Sequence, residues 1–146
     1  MEQQNKMILS FSNISGNESF ARATVAAFAA KLDPTLEELE DIKTAVSEAV
    51  TNAIIHGYQE QQGMVHVEAT LTEQGIEIIV RDQGRGIDDV DLVREATYTS
   101  RPDLERSGMG FTIMEHLMDE IEIISAVGKG TQIKMYKKIN NIVPVN

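Results

Sequence analysis

The sequence predicts an α+β fold, a two-layer α/β sandwich whose mostly antiparallel, mixed sheet is covered on one face by helices. Alternating apolar residues beside short glycine-containing turns indicate two pairs of strands. Helical composition or periodicity marks three further segments, and the first two follow one another without an intervening strand. A doubly wound parallel sheet is excluded, because it would alternate a helix with every strand.

The first strand and the first helix are predicted from the N-terminal 30 residues. Residues 7–11 form a short apolar run that indicates a strand. Ser15 and Glu18 have the spacing of a capping box, in which each side chain bonds the other residue's backbone N–H. Strong helix formers follow over 20–30, so a helix is expected there.

A second helix is predicted to run from Asp33 to Gly57. Asp33 is expected as the N-cap and Pro34 as the first helical residue, where the missing proline N–H costs nothing. Acidic residues fill the opening turns, where the helix dipole favours negative charge. Gly57 is a typical residue to end the helix.

The remaining elements are two hairpins, one helix and one long loop. The first hairpin is predicted from strands 64–72 and 76–80 around a turn at 73–75. A loop over 82–107 and a helix over 109–119 follow. The second hairpin is predicted from strands 120–125 and 131–137 around a turn at 128–130. A loop as long as 82–107 is usually functional or disordered in a compact domain.

Composition indicates one domain and excludes several function classes. The chain has 146 residues, which fits a single domain with its core at about 7–138 and a frayed tail at 139–146. It has no cysteine, which excludes disulfides and thiolate metal sites. The net charge of −10 makes direct nucleic-acid binding unexpected. Neither a signal peptide nor an apolar run of about 20 residues is found, so a cytoplasmic protein is expected.

The first candidate motif lies near the end of the second helix. Glu48, Asn52 and His56 follow at a spacing of four, which places them on one helix face opposite the apolar residues. A solvated polar face is the simpler interpretation. Asparagine is unfavourable inside a helix, however, and its side-chain oxygen suits Mg²⁺, while a carboxylate one turn away is a possible general base.

The second candidate motif follows the strand that ends at 80. Asp82 would project an acceptor from the strand end, and Gly84 and Gly86 would let the backbone approach a ligand closely. The alternative is an ordinary Asp/Gly turn.

The third candidate motif is a glycine-containing segment, 106–111, that opens the third helix. Unpaired backbone N–H groups at such a helix start favour a phosphate. A plain helix start with Ser107 as N-cap is the alternative. The Walker A, Rossmann and eukaryotic-type kinase motifs do not occur in the chain.

In their order and spacing these motifs resemble the N, G1, G2 and G3 boxes of the GHKL, or Bergerat-fold, superfamily of ATP-binding proteins. The N box corresponds to Glu48 with Asn52, and the G1 box corresponds to 82–86. The G2 box corresponds to Gly108 with Gly110, and the G3 box corresponds to Gly128, Gly130 and Thr131. Segments 47–58 and 105–115 resemble the bacterial anti-sigma factor serine kinases, and 17–22 with 32–35 narrow the resemblance to the anti-sigma F group of endospore-forming bacteria.

The resemblance implies an ATP site with a bound Mg²⁺. It implies that Asn52 holds the Mg²⁺, and that Asp82 accepts a hydrogen bond from the adenine amino group with support from Thr131 through water. The other implied ATP contacts are Gly84, Gly86 and Ile87 beside the adenine, and Ser107, Gly108, Met109, Gly110 and Phe111 on the phosphates, under a lid at about 88–105.

The resemblance also implies a reaction and partners. Glu48 would be the general base for a serine hydroxyl of the protein substrate, and Arg106 would meet the γ-phosphate or the docked substrate. Arg22 matches a position that the family uses to contact its partners. The implied protein is a homodimer that inhibits the sporulation sigma F factor and phosphorylates a serine of the anti-anti-sigma factor, with no direct nucleic-acid or membrane contact.

Three alternatives remain open. A stand-alone histidine-kinase-like ATPase domain is disfavoured because the 146 residues hold no phosphoacceptor-histidine hairpin. A non-catalytic, ATP-dependent binding module is disfavoured by Glu48, since such a module needs no carboxylate one turn from the metal-binding asparagine. The general-stress anti-sigma kinase of the same family is the third.

Overall fold

The computed structural model describes residues 4–57, 61–84, 110–126 and 128–140. The elements are β1 (Asn5–Ser12), α1 (Asn17–Ala29), α2 (Leu36–Asn52), β2 (Met64–Leu71), β3 (Gly75–Asp82), α3 (Gly110–Leu117), β4 (Glu120–Ala126) and β5 (Gly130–Lys138). A 3₁₀ turn, Ala30–Leu32, follows α1, and a π-helical segment, Ala53–Gly57, continues α2. In these ranges no helix has the length and apolarity that a membrane span requires.

The five strands form one sheet in the order β1-β2-β3-β5-β4. All four described pairings are antiparallel, where the prediction allowed a mixed sheet. The predicted α+β class and the predicted order of helices and strands are confirmed. β1 is longer than the predicted 7–11 because it pairs along the whole of β2, from Asn5 opposite Leu71 to Ser12 opposite Met64.

The helices cover one face of the sheet, as predicted, and the core lies between the two layers. Alternate strand residues point into this core: Val65, Val67, Ala69, Ile76, Ile78, Val80, Ile133 and Met135. Helix α2 supplies Ile42, Val46 and Val50, all fully buried. Burying each such side chain contributes about 1.5–3 kcal/mol, so α2 is held firmly against the strands.

Helix α2 begins later than predicted. Its N-cap is Thr35, whose Oγ1 accepts from the Glu38 N–H at 3.0 Å, while Glu38 Oε1 accepts from the Thr35 N–H at 2.8 Å. The prediction of Asp33 as N-cap is wrong, since Asp33 is left-handed (φ 54°) and ends the 3₁₀ turn. Pro34 disfavours a right-handed helical residue before it, and aspartate tolerates the left-handed region.

The capping box predicted at the start of α1 is also wrong. The N-cap is Gly16, which makes no side-chain cap, and Ser15 accepts from the Glu18 N–H through its backbone oxygen at 3.2 Å. The Glu18 carboxylate turns instead toward Ser47 on α2 and Arg22 on α1. A hydroxyl and a guanidinium are better partners for a carboxylate than one backbone amide.

The C-terminal strand is tied to the start of α2. Glu38 Oε2 accepts from the Asn140 N–H at 2.8 Å. Lys137 Nζ lies 3.2 Å from Asp41 Oδ2 and donates to the Leu117 carbonyl at 2.8 Å. These bonds fix the start of α2, the end of α3 and the end of β5 relative to one another.

Candidate functional site

Asn52 is the last residue of α2, and its amide nitrogen is unusual. Nδ2 is buried and has no hydrogen-bond partner among the residues that the structure describes. An unpaired buried polar group costs about 1–3 kcal/mol, and native proteins contain few of them. The two ends of an asparagine amide are assigned by their hydrogen bonds, so this buried position has room for either a donor or an acceptor. The side chain therefore lacks a partner that a ligand would supply.

The helix changes its winding directly after Asn52. Ala53–Gly57 is π-helical, with hydrogen bonds from residue i to i+5, and such segments are frequent at functional sites. Glu48 and Asn52 lie within the α-helical part, one turn apart, and both are partly buried. The predicted alignment of His56 with them stays a prediction.

Asp82 ends β3 and is a buried carboxylate, with 7% of its surface exposed. It accepts from the Gly84 N–H at 2.9 Å and from the backbone N–H of Thr131, its partner in the sheet register. Burial raises the pKa of Asp82 from 3.8 to about 6, and the two backbone donors only partly oppose that rise. Asp82 thus retains acceptor capacity that no described cation neutralises.

Gly130 allows β5 to approach the end of β3 closely. Its φ is +83°, and a Cβ there would lie 2.1 Å from the Asp82 carbonyl oxygen. Any side chain would both strain the backbone and push the strands apart. Gly130 therefore keeps the end of β3 at Asp82 beside Thr131.

Sequence reasoning missed Ser125, which completes a hydroxyl pair with Thr131. The two side-chain oxygens are 2.8 Å apart, and Ser125 Oγ donates to the Gly130 carbonyl at 3.0 Å. Ser125 is opposite Thr131 in the β4–β5 register. A count of residues across the glycine turn would have found it.

A cavity of about 580 Å³ opens where these strands end. Asp82, Thr131 and Ser125 contribute to its wall, together with His66 and Gln132 from the helix-free face of the sheet. Its volume is in the range of small-molecule sites. Neither Asn52 nor Glu48 lines it, and His66, Arg81, Ile124 and Gln132 lie on the helix-free face, so the cavity does not mark the predicted nucleotide site.

Helix α3 brings two further predicted residues to α2. Gly110 and Phe111 are its first residues, both are buried, and the helix packs against α2. The other predicted phosphate and adenine contacts lie outside the described residues: Gly86, Ile87, Arg106, Ser107, Gly108, Met109 and the lid at 88–105. The predicted loop 82–107 and tail 139–146 also lie largely outside them.

Arg22 lies on α1, apart from the residues just described, but is linked to α2. Its Nη1 is 3.5 Å from Glu18 Oε1 and 3.4 Å from Ser47 Oγ, and Ser47 Oγ donates to Glu18 Oε1. Ser47 directly precedes Glu48 in the chain. The structure thus connects the predicted partner residue with the helix that carries Glu48 and Asn52.

Together the described residues offer a neutral amide, a carboxylate one turn away and a buried acceptor beside two hydroxyls. In the part of the chain that the structure describes, no three His, Asp or Glu side chains cluster as a metal site. Beside the Asn52 amide oxygen, a bound cation would take further oxygen ligands. Phosphate oxygens are ligands of that kind for Mg²⁺.

Sequence comparison identifies relatives along nearly the whole chain. A family model described as "Histidine kinase-like ATPase domain" matches residues 16–137. The anti-sigma F factor of Priestia megaterium is 56% identical over 140 residues, covering 94% of this chain and 95% of that one. The anti-sigma F factor of Clostridium acetobutylicum is 58% identical over 135 residues, covering 92% and 94%.

Structural comparison finds the same fold at a greater distance. A crystal structure of the RsbU and RsbW domains of a Mycobacterium tuberculosis protein matches with a TM-score of 0.67 and 20% sequence identity. The match covers 92% of this chain and 32% of that chain, so the present chain spans about a third of its length. The likeness concerns the fold, and it agrees with the α+β class predicted from the sequence.

Proposed function

Because the chain belongs to the anti-sigma F factor family and carries a histidine kinase-like ATPase domain, we propose that it is an ATP-dependent protein serine kinase. In this proposal it acts in the cytoplasm, binds and inhibits the sporulation sigma F factor, and phosphorylates a serine of the anti-anti-sigma factor. The observation that carries the proposal is the buried Nδ2 of Asn52, unpaired among the described residues and one helical turn from Glu48.

The site fits a nucleotide with a bound Mg²⁺. Asn52 would hold the metal through its amide oxygen, and Asp82 would accept the adenine amino N–H with its unused acceptor capacity. Thr131 and Ser125 would hold a water at that contact. The bound Mg²⁺ would neutralise phosphate charge during transfer.

Glu48 would supply the proton chemistry. Its carboxylate accepts the proton of the substrate serine hydroxyl as the serine oxygen forms a bond to the γ-phosphorus. The bond between that phosphorus and the β–γ bridging oxygen breaks, and ADP leaves with the bonding electrons. Serine hydroxyls are weak nucleophiles at neutral pH, so a positioned base contributes typically about 10²–10⁴-fold. The remaining barrier reduction comes from positioning and charge stabilisation, as in other phosphoryl transfers.

The protein partners would dock on a surface that includes Arg22. Its side chain is 40% exposed on α1 and is connected to α2 through Ser47. We also propose that the chain acts as a homodimer, as the family resemblance implies. The small residues at 26–30 would allow close packing between copies.

The decisive experiment separates a kinase from a binding module. Glu48→Gln keeps the shape of the side chain but removes the base. We expect it to bind Mg·ATP and the sigma factor like the wild type while phosphorylating the anti-anti-sigma factor at least about a hundredfold more slowly. Single-turnover transfer of labelled phosphate and calorimetry measure the two effects.

Two further variants serve as controls for Glu48→Gln. Asn52→Ala should abolish Mg·ATP binding, and affinity within about threefold of the wild type would contradict the Asn52 assignment. Glu40→Gln changes an exposed carboxylate of the same helix, which pairs with Lys43, and should alter neither property. Transfer by Glu48→Gln at the wild-type rate would rule out the general base. A wild type that binds ATP and transfers nothing would favour the binding module.

A further inference from the structure

Three polar side chains join the first turns of α1 to the C-terminal half of α2. They are Glu18 and Arg22 on α1 and Ser47 on α2, called here the α1–α2 cluster. Ser47 Oγ donates to Glu18 Oε1, and Arg22 Nη1 approaches both, at 3.5 Å from Glu18 Oε1 and 3.4 Å from Ser47 Oγ. The Glu18 side chain is 20% exposed and that of Arg22 is 40% exposed. The cluster thus runs from the surface toward the helix that carries Glu48.

The cluster holds Arg22 by one end of its guanidinium. A guanidinium has five N–H donors in a fixed plane, and the contacts of Arg22 with described residues use Nη1 alone. The remaining donors are therefore available to another molecule. A free arginine side chain carries about 2 kcal/mol of rotamer entropy, which binding must remove. An arginine that is already held in place loses less on binding.

Ser47 orients the Glu18 carboxylate. Its hydroxyl donates to the carboxylate from the α2 side, which keeps Glu18 turned inward along the helix contact. The same hydroxyl partly compensates the negative charge, so Glu18 orients Arg22 without covering its outer donors. An acceptor of a docking protein would then meet a positive group in a fixed position.

We propose that Glu18 and Ser47 are positioning residues that pre-orient Arg22 for the protein partners. The inference rests on the proposed function, since it takes Arg22 as a partner contact. The opposite role is an internal competitor that must release Arg22 before docking. The two roles predict opposite signs, because loss of a positioning residue weakens docking whereas loss of a competitor strengthens it.

The test compares Glu18→Ala and Ser47→Ala with the wild type. The KM for the anti-anti-sigma protein and the Kd for the sigma factor should each rise about fivefold, the loss expected when one long side chain must be ordered on binding. The kcat and the Kd for Mg·ATP should stay within about twofold, and so should the midpoint of urea unfolding. Ser47→Thr keeps the hydroxyl and should restore the wild-type KM.

A double-mutant cycle shows whether Glu18 acts through Arg22. In an Arg22→Ala background, Glu18→Ala should have no further effect on the KM or on the sigma-factor Kd. Glu40→Ala is the matched control, because it removes an exposed helix pair with Lys43 (3.1 Å) that lies outside the cluster. It should change neither constant.

Three outcomes would overturn the inference: tighter docking in Glu18→Ala, unchanged docking in both single variants, or an equal loss in the Arg22→Ala background. The proposed kinase function fails separately, when the wild type binds its partners but transfers no phosphate. The sigma-factor Kd then still decides the role of Glu18. A wild type that binds neither protein would overturn both.

Discussion

Glu38 at the start of α2 and Asp82 at the end of β3 are both buried carboxylates, but their pKa values shift in opposite directions. Burial alone raises the pKa of each. At Glu38 the backbone N–H groups of Asn140 and Thr35, with the nearby charge of Lys137, outweigh burial and hold the pKa below its ordinary 4.5. At Asp82 the two backbone N–H groups do not outweigh burial, and the pKa rises to about 6.

The difference separates a structural carboxylate from one suited to a ligand. Glu38 accepts from the backbone N–H groups of Thr35 and Asn140, lies near the charge of Lys137, and ties the C-terminal strand to α2. Asp82 receives two donors, both from backbone beside it, and no described cation pairs with it. A buried acceptor that lacks donors destabilises the free protein and gains most when a ligand donates to it. Three experiments would break or sharpen this contrast.

The largest effect is expected for Asp82→Asn. We expect a loss of roughly a hundredfold in Mg·ATP affinity, because a buried site built to accept a hydrogen bond discriminates strongly when the acceptor changes. The free energy of unfolding at pH 7 should rise by about 2 kcal/mol, since the charge no longer has to be buried. Calorimetry and urea unfolding measure the two quantities.

Glu77→Gln is the control for Asp82→Asn. Glu77 lies on the same strand but on the helix-free face, where it pairs with Lys134 at 3.7 Å. This variant should change neither nucleotide affinity nor, by more than about 0.5 kcal/mol, stability. An Asp82→Asn protein that is destabilised and still binds Mg·ATP would show that Asp82 is structural, like Glu38.

Glu38→Ala should give the reverse result. It removes the capping box and leaves the Asn140 N–H without its acceptor, so unfolding free energy should fall by about 2 kcal/mol. Nucleotide affinity should stay within about twofold, because the changed bonds lie at the far end of α2. Parallel loss of affinity and stability would contradict the division of roles between the two carboxylates.

The smallest effect concerns pH. Only ionised Asp82 is a pure acceptor, so Mg·ATP affinity should fall as the pH drops through about 6, by up to about tenfold per unit below it. The contribution of Asp82 to the free energy of unfolding changes in the opposite direction and rises as the pH drops. Between about pH 4 and 6 the unfolded carboxyl is ionised and the native one is not, so stability from this group declines as the pH rises.

Glu38 should give the contrary pH dependence of stability. Its pKa is lowered by folding, so its contribution is present above the ordinary 4.5 and is lost as the pH falls through the native pKa. Urea unfolding of the wild type, Asp82→Asn and Glu38→Ala between pH 4 and 8 distinguishes the two groups. An Asp82→Asn protein whose nucleotide affinity keeps the wild-type pH profile would exclude Asp82 as the titrating group.

Local patterns predicted most of the fold. Alternation over 64–72 and 76–80 predicted a hairpin whose residues do pair, and the spacing of four predicted that Glu48 and Asn52 share a helix turn. Register also follows from patterns, since the glycine turn at 128–130 brings Ser125 opposite Thr131. These features depend on neighbours that are close in the sequence.

The wrong predictions involve choices between competing partners. Glu18 satisfies the capping-box pattern, but it bonds Ser47 on another helix instead. Thr35 outcompetes Asp33 as N-cap because Glu38 completes the box with it and is fixed in turn by Asn140, 102 residues away in the chain. The π-helical turn after Asn52 likewise depends on packing that local propensity does not encode.

The position of β5 has a consequence for how the chain reaches this structure. Strand β5, the last in chain order that the structure describes, lies inside the sheet between β3 and β4, and β1 pairs with β2 from the middle of the chain. Such long-range pairings form slowly because loop entropy is lost before contacts form. Until β5 arrives, β3 presents a bare edge that attracts other chains. A ribosome-bound chain thus stays vulnerable to aggregation and proteolysis until β5 has emerged.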